Sequence, residues 1–289
     1  MFEAACEVPL DRNLCLSVPH TQTGAQPVNF RDYMSLAMIP KPQWLTDNLV
    51  EFISKTKLNS IPEADQANVQ LFPTNFFVRL QSPPSDNPAM LEEELKLPEH
   101  MREHSRVHRY VKNIKLSEKK YMIFQVVDGI HWYVMLVARL RQKQPLIVLL
   151  DSLHWQHDAS MLSIRNFLKT ELCNEGINPE FTFIQPLMPR QLNTWDCGLF
   201  AAEYISNFLN NPESFLDCAL SNTLQNIFEP KSMECTRVSV ASFIQHQAII
   251  QLRVLQTAAW PDLGFTVPQP WIQALPGPYL PTPHQVMVM

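Results

Sequence analysis

Apolar positions along the chain alternate between two spacings. In "WLTDNLVEFISK", Trp44 to Lys55, Leu45, Leu49, Phe52 and Ile53 fall on one helical face. "MLSIRNFLKTELCNEG" predicts another helix, with Gly176 as its C-terminal stop. Leu199, Phe200, Ala202, Tyr204, Ile205, Phe208 and Leu209 predict a third, closed by Asn210, Asn211 and Pro212. "VSVASFIQHQAIIQLRVLQ", Val238 to Gln256, predicts a later one. Shorter apolar runs predict strands: "NFFVRL", "KKYMIFQVV", "HWYVMLVARL" (His131 to Leu140), "PLIVLLDSL" (Pro145 to Leu153) and "FTFIQPL". The link "RQKQ" joins two of these as a hairpin. The expected class is α/β (α+β), a central sheet flanked by helices.

The ends differ from this core. Residues 1–27 hold few periodic apolar positions and predict an extension with little structure. From Pro261 the chain is proline-rich and almost uncharged, which predicts an extended tail with its Trp and Tyr docked on a surface. The domain reading is therefore 1–27 extension, 28–257 folded domain and 258–289 tail.

Composition narrows the function classes. A net charge of -5 lacks the dense Lys/Arg stripe that phosphate contacts need, so no nucleic-acid partner is expected. The six cysteines include no CxxC pair, which suggests neither zinc fingers nor a disulfide framework and fits a reducing compartment. "MFEAACEVPLDRNLC" has no basic start or apolar signal core, and no apolar run reaches the roughly 18 residues of a membrane span. The expectation is a soluble intracellular protein, nuclear or cytoplasmic, without a membrane partner.

Candidate chemistry centres on "RQLNTWDCGLF", where Cys197 stands between a polar loop and an apolar helix, with Thr194 and Asp196 available as caps. A helix start favours a thiolate, yet Cys197 alone reads first as a small core residue. A nucleophile needs partners. His131 opens one predicted strand and Asp151 closes the next, and antiparallel strands joined by a short link bring those positions together. A carboxylate on one imidazole nitrogen frees the other to take the thiol proton. Gln191, on the loop feeding the cysteine helix, supplies an amide that, with the Cys197 N–H, would hold an oxyanion. Other histidines compete weakly. His154 and His157 have no further ligand cluster in sequence, so no metal is expected, and His100, His104 and His108 recur as one polar helical face.

With these residues in view, the chain resembles the ubiquitin-like-protein-specific cysteine proteases, the SUMO or sentrin proteases. The resemblance runs from about Val28 to Gln256 and rests on "HWYVMLV", "LLDSL" and "PRQLNTWDCGLF", the last matching P-x-Q-x-N-x-x-D-C-G, together with "FRDYMSLAMIPKPQWLTDNLVEFI", "FFVRL" and "VHRYVKNI". It implies a papain-like fold of the SUMO-protease type with a central mixed sheet. It makes Cys197 the nucleophile, His131 the base and later acid, Asp151 the orienting carboxylate and Gln191 the oxyanion donor. Trp44 and Trp132 match the family's tryptophans that enclose a terminal Gly-Gly. The implied activity is isopeptidase or endopeptidase cleavage after Gly-Gly through a thioester, by a monomer, with no cofactor. The implied partner is SUMO or another ubiquitin-like modifier and its conjugates. Three departures stand out: Thr46 where the family has asparagine, the bulky Trp195 beside the nucleophile, and Asn59 to Asn75, which reads as an insertion. The competing readings are a protease for another ubiquitin-like modifier, a non-catalytic modifier-binding module, and an acyltransferase on a related fold.

Overall fold

The computed structural model describes residues 15–16, 28–37, 43–84, 86–142 and 144–257. Cys15–Leu16 (β1) pairs antiparallel with Val28–Asn29 (β2), giving the expected N-terminal extension one backbone pairing. The rest of that extension and the proline-rich tail lie outside the described residues. Phe30–Ala37 (α1) leads to Asp47–Asn59 (α2), the helix predicted from "WLTDNLVEFISK". Glu63–Gln66 (α3), Val69–Phe72 (β3), Asn75–Gln81 (α4), Pro88–Leu95 (α5) and Glu99–Val107 (α6) follow. Then come Tyr121–Asp128 (β4), His131–Ala138 (β5), Leu146–Leu150 (β6), Asp158–Asn174 (α7), Thr182–Ile184 (β7), Cys197–Asn210 (α8), Pro212–Leu220 (α9) and Met233–Thr257 (α10). The unit that holds the sheet ends at Ala248; of a second unit, from Ile249, only the last turns of α10 are described. Among the described residues no helix is long and apolar enough to cross a membrane.

The main sheet has the order β3-β4-β5-β6-β7. Its central pairs, β4 with β5 and β5 with β6, are antiparallel, while β3 and β7 add parallel at the two edges. This is the mixed sheet expected. Both faces are covered, so β5 and β6 read as unbroken apolar runs. Alternation along each strand sorts side chains between two cores. Ile123, Val134, Leu136, Val148 and Leu150 pack under α2 and α8. Met122, Phe124, Met135, Val137, Ile147 and Leu149 pack against α4 and α7. Gly176 takes φ +81° two residues beyond α7, and the Ile177 N–H turns back to Leu172 O, as the predicted stop requires.

Two expectations change. "NFFVRL" is helix α4, not a strand, because Phe76, Phe77 and Leu80 bury one helical face. Its aromatic and β-branched residues have strand propensity, but tertiary packing wins: Phe76 joins Phe72, Phe124 and Phe167 at ring-centroid distances of 4.5 to 5.5 Å. The strand of this region is instead β3, inside the segment Asn59 to Asn75. Within that segment β3 forms the sheet edge, paired parallel with β4.

The expected polar face of histidines is corrected at His104. His104 is buried, and its Nε2 meets Glu171 Oε1 of α7 at 2.6 Å; His108 Nδ1 meets the same oxygen at 3.1 Å. Burial alone would raise the Glu171 carboxyl, but the two imidazoles hold it below its ordinary value. The side chain of His100 lies outside the described residues.

Candidate active site

Cys197 is the first residue of α8, and its side chain is buried. The apolar face behind it explains why the helix starts there: Leu199, Phe200 and Ala202 enter the core under the sheet. Gly198 sits where α8 meets the start of α2. A Cβ on it would lie 3.0 Å from Leu45 Cβ and 3.1 Å from Val50 Cγ2, so a side chain here would push the two helices apart. Gly198→Ala is therefore expected to destabilise the fold by about 1–3 kcal/mol through overpacking. An unchanged midpoint in urea unfolding would show that the contact relaxes freely.

Asp196 occupies the N-cap position, but its carboxylate does not cap, contrary to expectation. Only its carbonyl serves the helix, accepting from the Phe200 N–H. Oδ1 instead accepts from Arg237 of α10 at 2.6 Å, and Oδ2 accepts from Asn193 Nδ2 at 2.7 Å. Asn193 Oδ1 in turn accepts the N–H groups of Trp195 and Asp196. Thr194 is exposed, and its carbonyl accepts the Trp44 indole. The loop before the cysteine is thus tied to α10 through an ion pair buried on both sides. Arg237→Met should lower stability by about 3 kcal/mol by stranding Asp196 as an unpaired buried charge. A double variant with Asp196→Asn should recover part of the loss in the same unfolding assay.

His131 and Asp151 meet as the hairpin geometry requires. His131 begins β5, Asp151 follows β6, and His131 Nε2 lies 2.5 Å from Asp151 Oδ1. Both are buried. Four donors saturate the carboxylate. Oδ1 also accepts the Leu153 N–H at 2.9 Å, and Oδ2 accepts the Trp155 N–H at 2.8 Å and faces His157 Nε2 at 3.2 Å. The His157 ring is itself stacked on Tyr133, with centroids 3.7 Å apart. Burial alone would raise the Asp151 carboxyl, but the hydrogen bonds from His131, His157 and Leu153 and the His131 charge hold it well below the usual range. Burial alone would lower His131, but the hydrogen bond and charge of Asp151, with those of Cys197, push it up to about 9. With Nε2 on Asp151, the ring nitrogen that remains for Cys197 is Nδ1. The Cys197 Sγ also lies 3.9 Å from Ile130 O.

Gln191 is buried and fixed from two sides. Ser152 Oγ donates to its Oε1 at 2.6 Å, and its Nε2 donates to Asn193 O at 2.8 Å, leaving a second N–H on that nitrogen. The Gln191 backbone N–H donates to Ser152 O, so the residue after Asp151 and the loop before Cys197 are stitched together. The two tryptophans part company. Trp132 is buried, and its indole donates to Leu45 O at 3.3 Å. Trp44, which packing alone would bury, is 47% exposed. Thr46 turns its hydroxyl to Asp32 Oδ1 at 2.7 Å, and Trp195 is half-buried.

The residues missed from sequence are Ser152, Trp155, His157 and Arg237. "DSLHWQHD" did show His157, but its metal-like gap from His154 hid the real relation. His154 bonds to Met188 O, while His157 reaches Asp151. Among the described residues, His131, Asp151 and His157 form one group able to hold a cation, and His104, His108 and Glu171 another. Tetrahedral ligands at bonds of about 2 Å stand about 3 Å or more apart. The 2.5 and 2.6 Å contacts within these groups are the separations of hydrogen-bonded partners.

Residues 43–241 match the model of a family described as the Ulp1 protease family, C-terminal catalytic domain. The chain is similar to ubiquitin-like protease 4 of Caenorhabditis elegans, with 24% identity over 187 residues, 60% of this chain and 48% of that protein. It is also similar to a probable ubiquitin-like-specific protease 2A of Arabidopsis thaliana, with 22% identity over 193 residues, 60% of this chain and 24% of that protein. It thus spans about half the length of the first relative and about a quarter of the second. Among solved structures, a de-sumoylating protease matches with a TM-score of 0.66 at 20% identity, covering 84% of this chain and 95% of that one. A C-terminal Ulp1 protease domain, solved in complex with Smt3, the yeast orthologue of SUMO, matches with a TM-score of 0.56 at 20% identity, covering 84% and 91%. These structures show that the fold is that of the protease domain.

Proposed function

The chain belongs to the Ulp1 protease family, and on that premise we propose that it is a cysteine protease that removes or matures SUMO-like modifiers by cleaving after a C-terminal Gly-Gly. The observation that carries the reading is the buried His131–Asp151 pair beside a cysteine at a helix start. In this mechanism the Cys197 thiolate adds to the carbonyl carbon of the last glycine, and the C=O electron pair moves onto oxygen. The N–H of Cys197, which has no acceptor within its own helix, and the second N–H of Gln191 Nε2 hold that oxyanion. Protonated His131 gives its Nδ1 proton to the departing amine as the C–N bond breaks, leaving a thioester. Water attacks the thioester, His131 takes its proton, and the thiolate leaves.

Trp44 and Trp132 are assigned to the terminal Gly-Gly. Exposed Trp44, hung on Thr194, would close over the modifier's tail. Buried Trp132 fixes the Leu45 backbone beneath it, and with it the floor of the passage. Only glycine lacks the side chain that such a passage would reject.

The test is reaction of the purified protein with a panel of ubiquitin-like modifiers carrying C-terminal electrophiles, read by intact mass. An adduct with SUMO alone supports the full reading. An adduct with a different modifier keeps the mechanism and replaces the substrate. No adduct with any modifier would turn the reading toward a binding module.

The rate should also carry an alkaline limb. With His131 pushed up to about 9, the imidazolium persists through neutral pH, so kcat/KM on a conjugate should fall as pH rises through about 9 and the leaving amine loses its proton donor. The same proton stabilises the fold. Because the folded value lies above the ordinary 6.5, the contribution is complete below 6.5 and is lost as pH rises through about 9. A rate that stays flat well above that value would place the essential acid on another group.

A further inference from the structure

Trp155 combines a pinned backbone with an open ring. Its N–H donates to Asp151 Oδ2 at 2.8 Å, and its carbonyl accepts Gln185 Nε2 at 2.7 Å. These contacts fix the residue relative to the His131–Asp151 pair. The indole is nevertheless 53% exposed, with its centroid 5.0 Å from that of His131 and the rings tilted by 53°. A tryptophan carries a large apolar surface, and this one is held half in water beside the proton donor, where a substrate group would meet it.

The position decides which part of a substrate meets it. Trp44 hangs on Thr194, three residues before the nucleophile, on the cysteine side of the site. Trp155 stands on the His131 side. A departing amine takes its proton from His131 and so must lie within hydrogen-bond reach of that ring. We propose that Trp155 is a specificity-determining residue that receives the aliphatic stem of a target lysine, favouring isopeptide-linked conjugates over linear precursors. This inference rests on the protease reading above.

The chemistry of the two leaving groups supports the choice. A lysine side chain reaches the scissile nitrogen through unbranched methylenes, which can lie flat on an indole face while Nζ meets His131. The amine leaves neutral and takes up a proton from water at neutral pH, and the ammonium so formed is also attracted by that face. In a linear precursor the scissile nitrogen is attached directly to a branched Cα with its side chain and carbonyl, which cannot lie flat in the same way.

The experiment compares wild type, Trp155→Ala and Trp155→Phe on three forms of one SUMO: with a C-terminal electrophile, isopeptide-linked to lysine, and with a linear C-terminal extension. Trp155→Ala should still label with the electrophile, showing intact fold and thiol, and its labelling rate is the reference for its rates on the two amine substrates. Its kcat/KM on the isopeptide substrate should drop about tenfold, the scale of a cation–π and stacking contact, while the linear substrate changes less than about twofold. Trp155→Phe should recover most of the isopeptide rate. An equal fall on both amine substrates, or an unchanged isopeptide rate in a variant that labels normally, would overturn the inference alone. Failure of the wild type to label would overturn the protease reading and this inference with it.

Discussion

Cys197→Ala should remove all detectable turnover, a loss of at least about 10⁴-fold, while the protein stays folded and keeps its grip on the modifier. The reasoning is local. In the proposed mechanism Sγ is the one atom that bonds to substrate, and no neighbouring side chain can take its place. The structural cost is small, because the residue is at the first turn of α8 and alanine is a good helix former there. Cys197→Ser should fare little better. A serine hydroxyl is far harder to deprotonate than a thiol, so the nucleophilic anion is scarcely formed at neutral pH. The measurement is a pair of experiments on each variant: hydrolysis of a SUMO conjugate, and binding of uncleaved SUMO by calorimetry. Residual hydrolysis within about a hundredfold of wild type would mean that Cys197 is a core cysteine after all. Loss of binding together with turnover would mean that the substitution disturbed the loop rather than the chemistry.

Much of this was legible in the sequence, and the part that was not has a common cause. The order of helices and strands followed from apolar spacing because both sheet faces are buried, which leaves β4, β5 and β6 as dense runs bounded by polar residues. The meeting of His131 and Asp151 followed from one short link between antiparallel strands. What failed was any feature decided by a partner distant in sequence. "NFFVRL" has the composition of a strand and becomes a helix because an aromatic cluster from β3, β4 and α7 claims one face of it. Asp196 looked like a cap because the helix start was visible, whereas Arg237, 41 residues on, was not. His104 of α6 looked solvated because Glu171, which it meets when buried, belongs to another helix. Trp155 and His157 lay in plain view next to Asp151, yet nothing in "DSLHWQHD" says that the chain curls back so that both reach the same carboxylate.

That curl makes Asp151→Asn more damaging than the loss of one charge. The two carboxylate oxygens each accept one backbone N–H, from Leu153 on Oδ1 and from Trp155 on Oδ2, and each also faces one imidazole. An asparagine has a single acceptor oxygen. Whichever way its amide turns, the NH2 group confronts a backbone N–H that cannot rotate away, and one imidazole loses its acceptor as well. Two buried donors left unmatched, together with the lost ion pair, should cost about 3 kcal/mol of stability. The catalytic loss should be larger, about 10³- to 10⁴-fold in kcat, because the wrong tautomer of His131 is then favoured and the imidazolium loses its counter-charge. The diagnostic reading is the pH profile of the residual rate. Without the carboxylate, the hydrogen bond and charge that Asp151 lends to His131 are gone while burial still lowers it, so the alkaline limb expected near pH 9 should move down. A folded Asp151→Asn variant whose alkaline limb stayed in place would mean that the imidazolium is held by another group, with Cys197 the first to examine because it also raises His131.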